Sequence, residues 1–139
     1  MASEATLIYE LELPIPFTVA NATGIAKGAL LKMADPMTAS LSDGSDDIMC
    51  GVAAEEKVAS DGKTKLGVYM RGIFKCEANG TITVGQMVKS DATNATNTVI
   101  AVVQAAGAIE NVFGRALETA ADGETFLVYV DPFQFKDEA

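Results

Sequence analysis

Lys27-Gly28-Ala29-Leu30-Leu31-Lys32 returns in outline as Val84-Gly85-Gln86-Met87-Val88-Lys89, 57 residues further along the chain. Repeated order of this kind decides the fold before any local reading does. Working outward, Cys50-Gly51-Val52-Ala53-Ala54-Glu55 is echoed by Phe113-Gly114-Arg115-Ala116-Leu117-Glu118, and Ser60-Asp61-Gly62-Lys63 by Ala121-Asp122-Gly123-Glu124. The segments Leu66 to Phe74 and Phe126 to Phe133 then align Tyr69 with Tyr129 and Phe74 with Phe133. The offset drifts from 57 to 63 and back to 59, which places a longer connection in the second copy, between Lys89 and Phe113.

The blocks read as strands joined by turns. Asp61-Gly62 and Asp122-Gly123 are Asp-Gly pairs, suited to the positive φ angles of hairpin turns. Leu66, Val68 and Met70 fall on one face of the strand that follows the first turn, and Phe126, Val128 and Val130 repeat that pattern after the second. Each copy is thus expected to supply a half-buried hairpin. Gly51 and Gly114 suit a close backbone approach or a bulge. The expected fold is mainly β, a small β-barrel or sandwich-like body made of two pseudo-repeats, about 24–76 and 81–135, with little helix. Thr98 to Ile109 fits either a buried strand or a short helix, and Ala34 to Asp47 reads as a surface loop.

A chain of 139 residues is one domain's worth of material, able to bury roughly two-thirds of its unfolded surface. The body is therefore expected to be a single β domain, 18–139. With 49% hydrophobic and 21% charged residues it lies in the globular class, and 6% aromatics without Trp leave Val, Ile, Leu, Met and Ala to pack the core. The net charge of −9 repels phosphate backbones and anionic lipid, so neither nucleic acid nor membrane is an expected partner. The start MASEATLIYELELP carries no basic and apolar leader pattern, and no long apolar run follows; neither signal-peptide secretion nor a membrane span is expected.

Residues 1–17 lie outside both repeats and form an extended N-terminal arm. Leu7, Tyr9, Leu11 and Leu13 alternate with Ile8, Glu10 and Glu12, and Pro14 and Pro16 then bar continuation into a sheet centre. Such an arm either adds a strand to a sheet edge of another chain or pairs with its own body; both readings stand at this point.

Catalytic chemistry is hard to assemble here. His is absent, which removes the common triads and dyads and the commonest general base. Glu55-Glu56 and Asp46-Asp47 read as solvated acids, and Asp43-Gly44-Ser45-Asp46-Asp47 lacks the ligand order of a calcium loop. No phosphate-binding glycine motif occurs, and Cys50 and Cys76 match no metal spacing. No cofactor or metal is expected, and the two thiols read as reduced and structural.

The run Ile48-Met49-Cys50-Gly51-Val52-Ala53-Ala54-Glu55, the turn at Asp61-Gly62 and the strand Thr64 through Phe74, ending in the corner Gly72-Ile73-Phe74, resemble the central motif of the small decoration proteins of lambdoid and related phage heads. Val84 to Lys89, Gly114 to Glu118 and Asp122-Gly123-Glu124 are similar to the broader group of phage capsid cement proteins. The likeness spans roughly residues 18–133, and Asp131-Pro132-Phe133 departs from a second Gly-x-Phe corner.

The resemblance implies a β-tulip-like body, assembly as a homotrimer, and attachment to the major capsid protein on the outer surface of the mature head at three-fold sites. It implies a structural virion component, made in the host cytoplasm, that resists internal genome pressure. The arm, Ser3 to Phe17, would become ordered on the capsid, making Leu7, Tyr9, Leu11, Leu13, Pro14 and Pro16 the candidate capsid-binding residues. The alternative is a head-fibre or surface carbohydrate-binding β module, for which Tyr9, Tyr69 and Tyr129 are candidates to stack on sugars beside six Phe.

Overall fold

The computed structural model describes residues 3–44, 47–92, 96–101 and 112–132, with eleven strands and no helix among them. In chain order these are β1 (Thr6–Glu10), β2 (Ile15–Thr18), β3 (Leu30–Asp35), β4 (Thr38–Leu41), β5 (Met49–Ala53), β6 (Lys65–Tyr69), β7 (Gly72–Ala78), β8 (Met87–Ser90), β9 (Thr98–Ala101), β10 (Gly114–Ala116) and β11 (Thr125–Val130). Strands β2-β4-β3-β5-β6 close into one five-stranded barrel. Strands β7-β9-β8-β10-β11 close into a second, with β1 added outside β7. In each barrel the first and third strands pair in parallel, Thr18 with Thr38 and Glu77 with Thr98, while the other pairs are antiparallel. Closure removes open sheet edges, which lets strands this short persist.

The repeat unit seen in the strands runs from β2 to β6 and from β7 to β11. Gly72-Ile73-Phe74, expected to close the first copy, therefore opens the second, and Ile15–Phe17 belong to the first barrel wall rather than to a separate arm. The local alternation of β6 and β7 is alike, so sequence pattern alone could not say which side of Met70-Arg71 the boundary takes. Phe133 lies outside the described residues.

Two local expectations change. Ala34 to Asp47, read as a loop, contains the β3–β4 hairpin: Pro36 and Met37 form the turn, Met37 takes φ +47, and Thr38 pairs with Asp35. Pro36 pre-sets the turn, and Ala39 then points into the core. Asp61-Gly62 and Asp122-Gly123 do turn at positive φ on glycine, 85° and 82°, but within the long connections β5–β6 and β10–β11 instead of tight hairpins. Thr98 to Ala101 is strand β9; the remainder of that segment to Ile109 lies outside the described residues.

Each barrel is filled by its own side chains. Phe17, Leu31, Leu66 and Val68 centre the first core, and Phe74, Phe113, Phe126 and Val128 the second. The barrels are fused by residues that face out of the first one. Leu30, Met49 and Val52 are buried in the cluster of the second core, while Leu31, one residue on, faces inward. Burial of such a side chain contributes about 1.5–3 kcal/mol. Polar contacts fix the joint: the Leu30 amide donates to Asn97 Oδ1 at 2.9 Å, and the Ser42 and Ser90 hydroxyls lie 2.7 Å apart.

Gly51 and Gly114 make the close approach expected of them. A Cβ on either would lie 2.0 Å from the Tyr69 carbonyl oxygen or 2.2 Å from that of Tyr129. No side chain can be accommodated there, so the duplicated Gly and the duplicated Tyr strands mark the same crossing in both barrels.

Candidate functional site

The N-terminal segment lies along the junction of the two barrels. The Ala5 amide donates to the Gly28 carbonyl at 2.8 Å, and Ser3 Oγ donates to Glu77 Oε1 at 3.0 Å. Strand β1 then pairs antiparallel with β7, from Thr6 opposite Lys75 to Glu10 opposite Gly72. A register shift between Leu7 and Tyr9 breaks the alternation expected of this strand. Leu7 turns in against the second core, while Ile8 and Tyr9 both stay exposed.

Beyond Glu10 the chain leaves the sheet, and the apolar side chains on either side of that point are not covered. Tyr9 is 61% exposed, Leu11 45% and Leu13 74%. Pro14 is half-buried, packed over Gly67, and Pro16 is exposed in β2. Proline is tolerated in this barrel strand because its nitrogen faces the β4 side, as the Thr18 amide does in donating to the Met37 carbonyl, and β4 reaches β2 only at Thr18. The candidate residues are thus brought onto one stretch of surface, except Leu7, which serves the core.

Charged side chains tie this stretch to the junction. Arg71, between β6 and β7, approaches Glu12 at 4.0 Å and Asp131 at 3.7 Å, donates to the Tyr129 hydroxyl, and lies 5.8 Å from the centre of the Tyr129 ring. Burial, reinforced by the neighbouring Glu10 carboxylate, raises the Tyr69 phenol above its ordinary range. Arg71 was not singled out from the sequence. The available signal was its place: it follows Tyr69-Met70 as Asp131 follows Tyr129-Val130, and the pseudo-equivalent Arg71 and Asp131 approach each other as an ion pair.

The acids considered for chemistry are held otherwise. Asp43 and Asp47 meet Lys32 at 2.7 and 3.8 Å, and Asp47 Oδ2 accepts from the Asp43 and Gly44 amides and from Ser42 Oγ. Lys32 holds the Asp43 carboxyl below the usual carboxylate range. Asp46 lies outside the described residues. Glu55 pairs with Lys63. Cys50 and Cys76 sit in different cores, and burial pushes both thiols up to about 12. Among the described residues no group of three or more His, Cys, Asp and Glu side chains is placed to hold a metal ion.

What remains is a double barrel with an apolar, exposed strip beside its joint. Over residues 11–131 the sequence matches the model of the family described as phage cement protein. The chain belongs to the phage cement protein family. Membership makes this cement-family chain a head-associated structural protein of a phage virion. The family match takes in Leu11, Leu13, Pro14 and Pro16 and begins after β1. No curated protein matches the sequence. Among solved structures, the head fiber gp8.5 N base in bacteriophage phi29 has a similar fold, with a TM-score of 0.56 and 18% identity over 88% of this chain and 98% of that one.

Proposed function

We propose that this chain is a non-enzymatic capsid decoration protein: as a homotrimer it binds the outer surface of the mature head at three-fold sites and clamps neighbouring major capsid subunits against genome pressure. The supporting observation is the exposed strip on a cement-family chain. Five of the ten large apolar side chains exposed among the described residues fall between Ile8 and Ile15. Scattered apolar residues on a surface are ordinary, but a contiguous set marks a contact site. Three such strips on one trimer would multiply a modest contact by avidity on a repeating shell.

In this reading the segment that precedes β2 is the capsid-facing arm, with Tyr9, Leu11 and Leu13 as its anchors and Pro14 and Pro16 limiting the shapes the chain can adopt as it enters the barrel. Replacing both Leu11 and Leu13 by Ser leaves the barrels intact, because surface changes of this kind cost within about 0.5 kcal/mol. Attachment to expanded heads, measured by co-sedimentation, is expected to fall at least several-fold. Unchanged attachment of the folded variant would remove the arm from the reading.

The likeness to a head-fibre base supports a second reading, in which the body seats an appendage or adheres to surface glycans. Of the tyrosines considered for sugar stacking, Tyr9 has an open ring; Tyr69 packs edge-on to Phe74 with ring centres 5.8 Å apart, and Tyr129 lies beside Arg71. Glycan binding lost on Tyr9→Ala, with head attachment retained, would favour this alternative.

A further inference from the structure

The contact between the two barrels is head-to-tail: it uses one face of the first barrel and a different face of the second. On the first barrel it is carried by Leu30 of β3 and Val52 of β5, which are paired with each other and buried against the second core. The matching residues of the second barrel are Met87 and Arg115, which are paired in the same way, yet Met87 is only half-buried and Arg115 is exposed. Around them Val84 is 57% exposed and Leu117 41%, and a Cβ on Gly85 would meet nothing within 4 Å. At the matching Gly28 a Cβ would lie 2.3 Å from the Ala5 carbonyl, because the arm covers it.

The complementary face shows the same asymmetry. Asn97, which accepts the Leu30 amide, immediately precedes β9; by strand register its counterpart before β4 is Met37, 49% exposed. Phe74, buried in the joint cluster, corresponds to Ile15, 39% exposed. Each barrel therefore leaves free the half of the contact that the other has used.

We infer that a second copy of this chain docks on the second barrel by repeating the intrachain joint: Met37 and Ile15 of one copy seat against Met87 and Arg115 of the next, flanked by Val84 and Leu117. Arg115 donates to the Gly85 carbonyl at 3.3 Å and stands where the first barrel has Val52. An arginine keeps the free face soluble and is a residue type enriched in protein interfaces. Such a contact is heterologous, so copies either close into a ring or continue as a filament. The inference deepens the proposed self-association, and rests on it, by naming the surface.

The test is disulfide trapping with Met37→Cys and Met87→Cys prepared as separate proteins, since Cys50 and Cys76 are buried. Oxidation of the mixture is expected to yield a 37–87 linked dimer, identified by mass spectrometry, with little linkage in either protein alone. Homotypic linkage only, or no linkage in a protein that sediments as an oligomer, overturns this surface while leaving self-association standing. A monomer at all concentrations overturns both. As a second measurement, Arg115→Glu with an unchanged thermal transition is expected to weaken association by about tenfold or more; unchanged association would count against the face.

Discussion

In the first barrel Phe17 faces Leu66 across the β2–β6 ladder, and Cys50 sits beside Gly51; in the second, Cys76 faces Phe126 and Phe113 sits beside Gly114. Large and small residues have exchanged places between matching positions of two barrels with one strand order. Close packing constrains the volume of a core more tightly than the identity of any position in it. That is why the duplication is faint in residue letters and plain in the strands. A second difference lies at the bridge between Ile25 and Lys57, matched in the other barrel by Ile82 and Ala120. Lys57 is fully buried, with Nζ donating to the carbonyls of Asn21 at 2.6 Å, Thr23 at 2.9 Å and Val58 at 3.3 Å and lying 3.5 Å from Asp61. The second barrel makes the same bridge with Ala120 in place of the lysine.

The sharpest way to break the comparison is at the shared glycine. Gly51→Ala and Gly114→Ala both force a Cβ into a carbonyl oxygen, and each is expected to cost about 3–5 kcal/mol in urea denaturation. Gly51 also has φ +149, so its cost should be the larger; equal costs would mean that the crossing alone sets the penalty. Next is the exchanged pair. Phe17→Cys is expected to cost about 3 kcal/mol through the void it leaves, and Cys50→Phe about 1–3 kcal/mol by overpacking. The double variant gives the first barrel the second one's arrangement and should recover at least about 1 kcal/mol of their sum; strict additivity would show that the positions do not share volume.

Lys57→Ala gives the first barrel its counterpart's residue. It is expected to cost about 2 kcal/mol because three carbonyls lose a buried donor, and a neutral result would mean that water replaces the ammonium. The smallest effect at moderate pH is titration of the thiols. Both fold with pKa raised from 9.0 to about 12, so the folded chain keeps protons that the unfolded chain releases. Their contribution is intact below pH 9 and is lost as pH rises from 9 toward 12, by up to about 1.4 kcal/mol per pH unit per thiol. Cys50→Ala and Cys76→Ala should each remove half of the two thiols' combined slope if the barrels unfold as one unit, which the fused core around Leu30 and Val52 leads us to expect.

The sequence by itself determined the duplication, the inward faces of Leu66 to Val68 and Phe126 to Val130, the need for Gly51 and Gly114, and the apolar content of Leu11 and Leu13. These are local properties: alternation has a period of two, and a residue without a side chain declares a near neighbour. Only the tertiary structure decided where one copy ends and the next begins, that Pro36-Met37 turns a hairpin, that Leu7 packs against the core while Leu13 is surface, and that Arg71 joins the arm to Tyr129 and Asp131. Which strand lies beside which, and what covers an outward face, is set by closure of the barrels and by their contact, and a strand's own periodicity carries no record of its partner.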